Sequence, residues 1–262
     1  MNKVTGTKEW ATANINIMNG CPNNCVYCYA KCMAIRFGRK TPDTWKDEEL
    51  IQEKVYKNYT KRKGTIMYPS SHDITEQHLE SQLIVLKKIL QAGNQVLIVS
   101  KPRIAVIKAL CEELKNYKDQ ILFRFTIGST DSEILKLYEP GAPSFEERLE
   151  CLKYAYKAKF QTSISVEPIL DLNPRKIYTA TNIYVTDAIW YGKINRINSI
   201  LSINEPDNAE IRDSMNKLLK SQDKKFITDL YNTYTGNPKV KWKDSIKSIL
   251  GLKLPEQEGL DI

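Results

Sequence analysis

Short runs of apolar and β-branched residues alternate along this chain with longer segments of helical periodicity. This alternation is typical of βα units repeated around a parallel sheet, because each helix returns the chain to the start of the next strand. Six strands are predicted, at residues 13–18, 65–69, 95–100, 121–128, 160–166 and 187–191. The pattern therefore predicts an α/β fold built from six βα units.

Capping signals mark the starts of three helices between these strands. Asp73 or Thr75 is predicted to cap the first of them. Pro102 occupies a position that is favoured in the first turn of the next helix. Ser144 and Glu147 have the spacing of a capping box at the start of the third.

Composition and chain length favour one folded domain over residues 1–262. Its core is expected at about residues 13–195, followed by helices at 207–220 and 221–231 and by a peripheral basic tail. Hydrophobic residues make up 42% of the chain, yet no apolar run reaches the ~18 residues of a membrane span. The N-terminus has no apolar signal segment, so we expect a cytoplasmic protein without membrane contact.

The formal net charge is +8, with a sequence pI near 9.0. A positive field of this kind attracts nucleic acids and phosphorylated small molecules. The lysines are scattered along predicted helices and do not form one dense block. Nucleic acid therefore remains a possible partner, and charge alone does not identify it.

Three of the six cysteines form a C-x3-C-x2-C motif, at Cys21, Cys25 and Cys28, directly after the first predicted strand. Thiolates are the usual ligands of iron-sulfur clusters, and three of them bind three irons of a 4Fe-4S cube while the fourth stays open. An open iron can take the amino and carboxylate groups of S-adenosylmethionine (SAM). An electron from the reduced cluster can then break the sulfonium bond and release a 5′-deoxyadenosyl radical.

Zinc sites and redox pairs also use closely spaced cysteines. A zinc site would need a second pair of cysteines or histidines, and neither the remaining cysteines nor the two histidines form one. A redox C-x-x-C pair would explain only Cys25 and Cys28. Cluster ligation accounts for all three cysteines, and a noncatalytic iron-sulfur or zinc-binding module is the alternative from another class.

The cysteine motif, with Tyr27 and Tyr29 on either side of Cys28, resembles the radical SAM superfamily and within it the spore photoproduct lyase-like group. The resemblance implies a partial (β/α)6 barrel with a short C-terminal helical extension. It implies a 4Fe-4S cluster and SAM as cofactors, and an external electron donor of the flavodoxin or ferredoxin kind.

The resemblance also implies roles for residues of the cofactor site. Tyr29 would lie near the adenine, Tyr27 near the cluster, Lys101 at the SAM carboxylate and Ser129 at the ribose. Lys101 and Ser129, like Ser70, also follow predicted strands, and ligands of parallel sheets gather at such strand ends. From the residues alone, Lys101 is equally a solvent lysine before a helix, and Ser129 equally a helix cap.

Candidate substrate ligands lie at the same expected edge of the sheet. His72 and Asp73 are suited to hydrogen bonds with a nucleoside base or sugar, although Asp73 is also the helix cap proposed above. Glu167 follows the fifth strand and is suited to a guanine-like edge, with an exposed turn as the alternative. The segment near the end of the sixth strand either binds a base, ribose or phosphate or is an ordinary basic loop, and its candidates are Tyr191, Lys193 and Asn195.

One departure from the photoproduct lyases affects the expected reaction. Those enzymes carry a cysteine near the end of the second strand that returns a hydrogen atom, whereas this chain reads Tyr68-Pro69-Ser70-Ser71 there. The predicted function is therefore a radical SAM lyase acting on a modified nucleoside or nucleotide. In length and cysteine arrangement the chain resembles queuine-releasing enzymes, which implies queuosine or its 5′-phosphate as substrate. The rival enzyme is a DNA-lesion repair lyase or tRNA-modifying enzyme acting on a polynucleotide.

Overall fold

A computed structural model describes residues 4–260, and its centre is a seven-stranded sheet in which every neighbouring pair is parallel. The strand order is β1-β4-β5-β6-β7-β8-β9, and β2 pairs separately with β3 in an antiparallel hairpin. The strands are β1 (Ala13–Asn14), β2 (Met18–Asn19), β3 (Glu49–Leu50), β4 (Thr65–Tyr68), β5 (Gln95–Ser100), β6 (Ile121–Thr126), β7 (Gln161–Val166), β8 (Ile189–Tyr191) and β9 (Val240–Trp242). The predicted α/β fold with a parallel sheet is confirmed.

Helices connect the strands and continue beyond β8. They are α1 (Tyr29–Arg36), α2 (Gln52–Tyr56), α3 (Leu79–Gln91), α4 (Ile104–Glu113), α5 (Ser132–Tyr138), α6 (Phe145–Lys157), α7 (Arg175–Thr181), α8 (Ile197–Asn204), α9 (Ala209–Ser221), α10 (Lys224–Thr233) and α11 (Asp244–Leu250). Within residues 4–260, no helix combines the length and the apolar character that crossing a membrane requires.

The two faces of the sheet bury different side chains, because successive residues of a strand point to opposite faces. One face packs against the helices and contains most of the core, including Ile98, Phe123 and Ile164. The other face carries a smaller cluster around Met67 and Trp190. Trp10 of the N-terminal segment covers that cluster, so the start of the chain closes the second face of the sheet.

The predicted strand at residues 13–18 is two strands that belong to different sheets. The break lies at Asn16, whose side-chain oxygen accepts hydrogen bonds from the backbone N–H groups of Ser70 (2.7 Å) and Ser71 (2.9 Å). The N–H of Ile17 donates to the His72 ring at 3.2 Å. Side chains thus take the place of ladder partners, which is why the parallel pairing with β4 stops.

The segment after Gly236 is wrongly predicted as a peripheral tail. Residues 240–242 form β9 at the edge of the sheet, in register with residues 189–191 of β8, and α11 follows. Trp242 is buried and stacks against Tyr191, with ring centroids 5.6 Å apart. The basic residues of this segment alternate with buried apolar ones, and that alternation is what allows the strand to join the sheet.

All three capping predictions also need correction. Pro102 lies before Arg103, the cap residue of α4, and not in the first turn of that helix. The helix after β4 begins as a 3-10 turn at Glu76–His78, and neither Asp73 nor Thr75 caps it through a side chain. Ser144 does cap α6 by accepting the N–H of Glu147, as predicted. The Glu147 carboxylate, however, accepts the N–H of Ile104 at 3.0 Å and so joins α6 to α4 instead of closing the box.

Candidate active site

The cysteine motif lies on the loop that leaves β2 and enters α1 at the carboxyl end of the sheet. Neighbouring segments hold this loop by backbone hydrogen bonds. Cys21 donates to the carbonyl of Trp45 at 2.9 Å, and Val26 donates to the carbonyl of Tyr138 at 3.0 Å. The loop is therefore fixed from two sides, by the segment before β3 and by the end of α5.

Gly141 lies close against the backbone of the cysteine loop. Its N–H donates to the carbonyl of Asn23 at 3.1 Å, and a Cβ atom at this position would lie 1.9 Å from the carbonyl oxygen of Pro22. Arg103 strengthens the same junction by donating to the Asn23 side chain (2.8 Å) and to the Gly141 carbonyl (2.7 Å). Only glycine fits here without moving the loop backbone.

All three cysteines of the loop are free thiols, with Cys21 and Cys25 buried and Cys28 partly exposed. The sulfur of Cys28 caps α1 by accepting the N–H of Lys31 at 3.4 Å. Burial raises the pKa of each thiol, that of Cys25 to about 12, so the unliganded cysteines hold their protons. Metal binding would displace those protons and relieve the cost of burial.

The donor set of this loop fits an iron-sulfur cluster. Three closely spaced thiols without a disulfide supply soft ligands, which is the chemistry that iron-sulfur clusters require. Among the described residues, no three Cys, His, Asp or Glu side chains are grouped as ligands of a single metal ion. A 4Fe-4S cube has a different requirement, because each thiolate binds its own iron.

A buried charge network, which the sequence did not predict, lies behind the cysteine loop. Glu139, at the end of α5, accepts hydrogen bonds from the Arg148 guanidinium and the Tyr27 hydroxyl. The Lys101 ammonium lies 3.9 Å from the same carboxylate and 5.7 Å from the centre of the Tyr27 ring. We name Tyr27, Lys101, Glu139 and Arg148 the Glu139 network.

Neighbouring charges keep both the Glu139 carboxylate and the Lys101 ammonium ionised. Burial alone would raise the pKa of Glu139, but Arg148 and Lys101 outweigh it and lower that pKa. Burial likewise disfavours the Lys101 ammonium, and the nearby Cys25 and Glu139 outweigh it and raise the pKa of Lys101. A cation is thus held beside the cysteine loop, where a cluster bound by three thiolates would place negative charge.

Asp73 ties two strand ends to the cysteine loop. Its carboxylate accepts hydrogen bonds from the Asn23 side chain (2.8 Å), the Lys101 backbone N–H (2.9 Å) and the Ser100 hydroxyl. His72 is buried as well, and burial lowers the pKa of its ring to about 4, so the ring is neutral. Both side chains spend their hydrogen bonds within the protein, and their predicted contact with substrate stays a prediction.

A second group of charges lies where β7, β8 and β9 end. The Lys243 ammonium is 2.8 Å from Glu9, 3.8 Å from Glu167 and 4.0 Å from the centre of the Trp10 ring. Gly192 leaves room for Glu167, because a Cβ there would lie 2.7 Å from its side chain. The Glu167 side chain remains 30% exposed, and burial raises its pKa. We name Glu9, Glu167 and Lys243 the Lys243 group.

The three candidates at and just after the end of β8 occupy different environments in the structure. Tyr191 is fully buried among Tyr234 and Trp242 on the helix-packed face, because strand alternation turns its side chain there. Lys193 and Asn195 instead line a surface cavity of about 340 Å³ together with residues of α11. Asp244, the residue after Lys243, also lines this cavity, so α11 contributes to its wall.

Comparison with known families explains the cysteine loop. The sequence model of the family described as "Radical SAM superfamily" matches residues 15–173. This chain belongs to the radical SAM superfamily. Members of that superfamily use a 4Fe-4S cluster and SAM, as the cysteine spacing predicted, and Cys21, Cys25 and Cys28 are the candidate ligands in this one.

The radical SAM chain also resembles individual proteins. "Uncharacterized protein ORF301" of Acidianus two-tailed virus is 31% identical over 176 residues, which are 63% of this chain and 57% of that protein. SuiB of Streptococcus suis, bound to S-adenosylmethionine, matches with a TM-score of 0.57 and 12% identity over 95% of this chain and 54% of SuiB. A spore photoproduct lyase mutant matches with a TM-score of 0.53 and 13% identity over 87% of this chain and 75% of that one. The structural matches show a shared fold, and the chain spans under two thirds of ORF301 and SuiB.

The residues predicted to bind SAM in this radical SAM enzyme have hydrogen-bond or charge partners within the protein. Tyr29 is half exposed, and its hydroxyl donates to the Ser70 carbonyl at 2.9 Å. Lys101 points to Glu139 and Cys25. Ser129 is buried, and its hydroxyl binds Asp171 and the backbone N–H of Asp131, which is itself the cap of α5. Their roles toward SAM stay predictions.

Proposed function

We propose that the chain is a radical SAM lyase that cleaves a modified nucleoside or nucleotide. The loop of three free thiols beside the Lys101 ammonium is the observation that carries this proposal. When bound, the reduced cluster and SAM supply a 5′-deoxyadenosyl radical that can take a hydrogen atom from a substrate. The Glu139 network and Gly141 fix the loop, so the ligand sulfurs are held in place before the cofactors arrive.

The substrate class rests on the group at the far end of the site. The Glu167 carboxylate, partly exposed, is suited to accept two N–H groups from a guanine-like base edge. Lys193 and Asn195 offer a cation and an amide for a ribose or phosphate. Solved structures with this fold include a spore photoproduct lyase mutant bound to a dinucleoside spore photoproduct and SuiB bound to a precursor peptide, so the choice of a nucleoside rests on these side chains and not on the shared fold. Queuosine and its 5′-phosphate, which carry a guanine-like edge, are the first compounds to test.

The first experiment tests the radical chemistry. Wild-type protein is reconstituted anaerobically with iron and sulfide, then supplied with SAM and dithionite, and 5′-deoxyadenosine is measured. Cys25→Ala should lose iron and product, whereas Cys111→Ala, which removes a buried thiol of α4, should retain both. Loss of product in neither variant, or in both, would contradict the proposed ligand set.

The second experiment tests the substrate. Queuosine, queuosine 5′-phosphate, a photoproduct-containing duplex and tRNA are each added to the cluster-loaded enzyme. Release of free queuine would support the nucleoside lyase. Reaction only with duplex or tRNA, weakening as salt rises, would favour the polynucleotide enzyme that the +8 charge suggests.

A further inference from the structure

Helix α1 exposes a row of large apolar side chains. Tyr29 is 50% exposed, Met33 38% and Phe37 65%. Their spacing of four residues places them on one face of the helix and its C-terminal end. Single exposed apolar residues are ordinary, but a contiguous row is a sign of a contact surface. We name this row the α1 stripe.

The α1 stripe borders a groove of about 540 Å³ between α1 and the β2–β3 hairpin. Its lining includes the buried apolar side chains of Met18 and Ala34, two basic residues, Arg39 and Lys54, and one acidic residue, Glu49, which pairs with Lys40 at 2.6 Å. Trp45 also lines the groove with a side chain that is 3% exposed, and its indole N–H finds no acceptor among the described residues. The indole is thus buried beneath the groove and is not exposed to a partner.

The α1 stripe starts at the third cysteine of the loop. Cys28 is the cap of α1, and Tyr29 is the first residue of the helix. At about 1.5 Å per residue, Met33 lies ~7 Å and Phe37 ~13 Å along the helix from Cys28. A partner seated on the stripe would thus be close to any cluster held by the loop.

Reductive cleavage of SAM consumes one electron, and the chain has no second cysteine motif to relay it. The cysteines outside the loop are single thiols at Cys32, Cys111 and Cys151 in α1, α4 and α6. The electron must therefore enter from another molecule, at the surface nearest to the loop. The net charge of +8 and the exposed Arg36 and Arg39 beside the stripe favour an acidic partner.

We propose that the α1 stripe and its groove are the docking surface for a small acidic electron-carrier protein. This inference rests on the proposed function. In the step, the reduced cofactor of the carrier loses one electron and the oxidised cluster gains it, with no bond formed or broken. Apolar contact with Met33 and Phe37 supplies affinity, and Arg36 and Arg39 steer the acidic carrier to the stripe.

The test compares two charge-reversed double variants. Phe37→Glu with Arg39→Glu alters the α1 stripe. Ile183→Glu with Lys157→Glu makes a matched change at exposed positions that precede β8 and β7, at the opposite end of the strands. A flavodoxin is the carrier. Its affinity for each protein is measured by titration in the oxidised state at low and high salt, and 5′-deoxyadenosine formation is measured with reduced flavodoxin and with dithionite.

The stripe variant should bind flavodoxin at least about tenfold more weakly and lose flavodoxin-driven turnover by a similar factor, while dithionite-driven turnover is unchanged. The control variant should match wild type, and salt should weaken wild-type binding. Equal flavodoxin binding by both variants, or no flavodoxin binding by wild type, would overturn the proposal. So would the finding that wild type is a dimer and the stripe variant a monomer, because the stripe would then be an interface between two copies of the chain. If wild type forms no 5′-deoxyadenosine with dithionite either, the result would count against the proposed function. The binding titration needs no turnover, so it still tests the docking surface in that case.

Discussion

The Glu139 network and the Lys243 group are two buried charge clusters with different degrees of closure. Around Glu139, carboxylate, guanidinium, ammonium and phenol satisfy one another, and the carboxylate is fully buried. Around Lys243, the ammonium is buried but one of its two carboxylates, Glu167, stays partly exposed at 3.8 Å. The first arrangement is complete without a ligand and suits a rigid cofactor bed. The second leaves hydrogen-bonding capacity open, as a substrate site requires.

Two glycines give the largest test of this comparison. Gly141→Ala would place a Cβ 1.9 Å from the Pro22 backbone and displace the cysteine loop, whereas a Cβ at Gly192 would lie nearest to side-chain atoms of Glu167, at 2.7 Å. We expect Gly141→Ala to lower iron per chain about tenfold after reconstitution. Gly192→Ala should load iron normally and change only substrate binding. Normal iron content in Gly141→Ala would contradict the proposed difference between a rigid cofactor site beside the Glu139 network and a substrate site beside the Lys243 group.

Removal of one charge from the Glu139 network should cost a large part of the folding free energy. Glu139→Gln leaves the buried Arg148 without its counter-charge, which is expected to cost about 3–5 kcal/mol. Urea unfolding of the metal-free protein measures the change. Glu113→Gln, in an exposed pair with Lys87, is the matched control and should leave the unfolding midpoint where it is in wild type. Similar urea unfolding midpoints for Glu139→Gln and Glu113→Gln would show that the Glu139 network does not stabilise this part of the protein.

The Lys243 group should respond less strongly and in a pH-dependent way. Lys243→Met leaves the Glu9 carboxylate buried without a cation, at an expected cost of about 3 kcal/mol at pH 7. Burial already raises the pKa of Glu9, and loss of Lys243 raises it further. A pKa raised in the folded state makes stability fall as pH rises, so the deficit should shrink as pH falls through the raised pKa of Glu9 and be lost below the ordinary carboxyl pKa. A deficit that is constant from pH 7 to pH 4 would contradict this account.

The smallest effect is expected outside both clusters. Ser144→Ala removes the cap of α6 and should cost about 1 kcal/mol in urea unfolding. Arg148 lies one turn further along α6, yet iron content should be unchanged because its bond to Glu139 does not involve the cap. A loss of iron in Ser144→Ala would mean that the position of the cysteine loop depends on the whole of α6 and not on the Glu139 network alone.

Local sequence patterns determined much of this protein. The short apolar runs predicted β5, β6 and β7 to within two residues at each end, because each of these strands consists of one continuous run of mostly buried residues. The cysteine spacing predicted the family, since three ligands on one short loop need no distant partner. The segment at 13–18 was harder, because side chains of residues 16 and 72 interrupt a ladder that the local pattern would continue.

Only the tertiary structure decided the partners of the buried charges. Glu139 meets Tyr27 across 112 positions of sequence, and Lys243 meets Glu9 across 234, distances at which residue type predicts no pairing. The three-residue strand β9 likewise exists because β8 offers an edge beside it. The sequence by itself determined which chemistry the chain carries, because ligand type and spacing are local. Folding decided how the site is enclosed, because burial and charge pairing depend on segments that meet only when the sheet has formed.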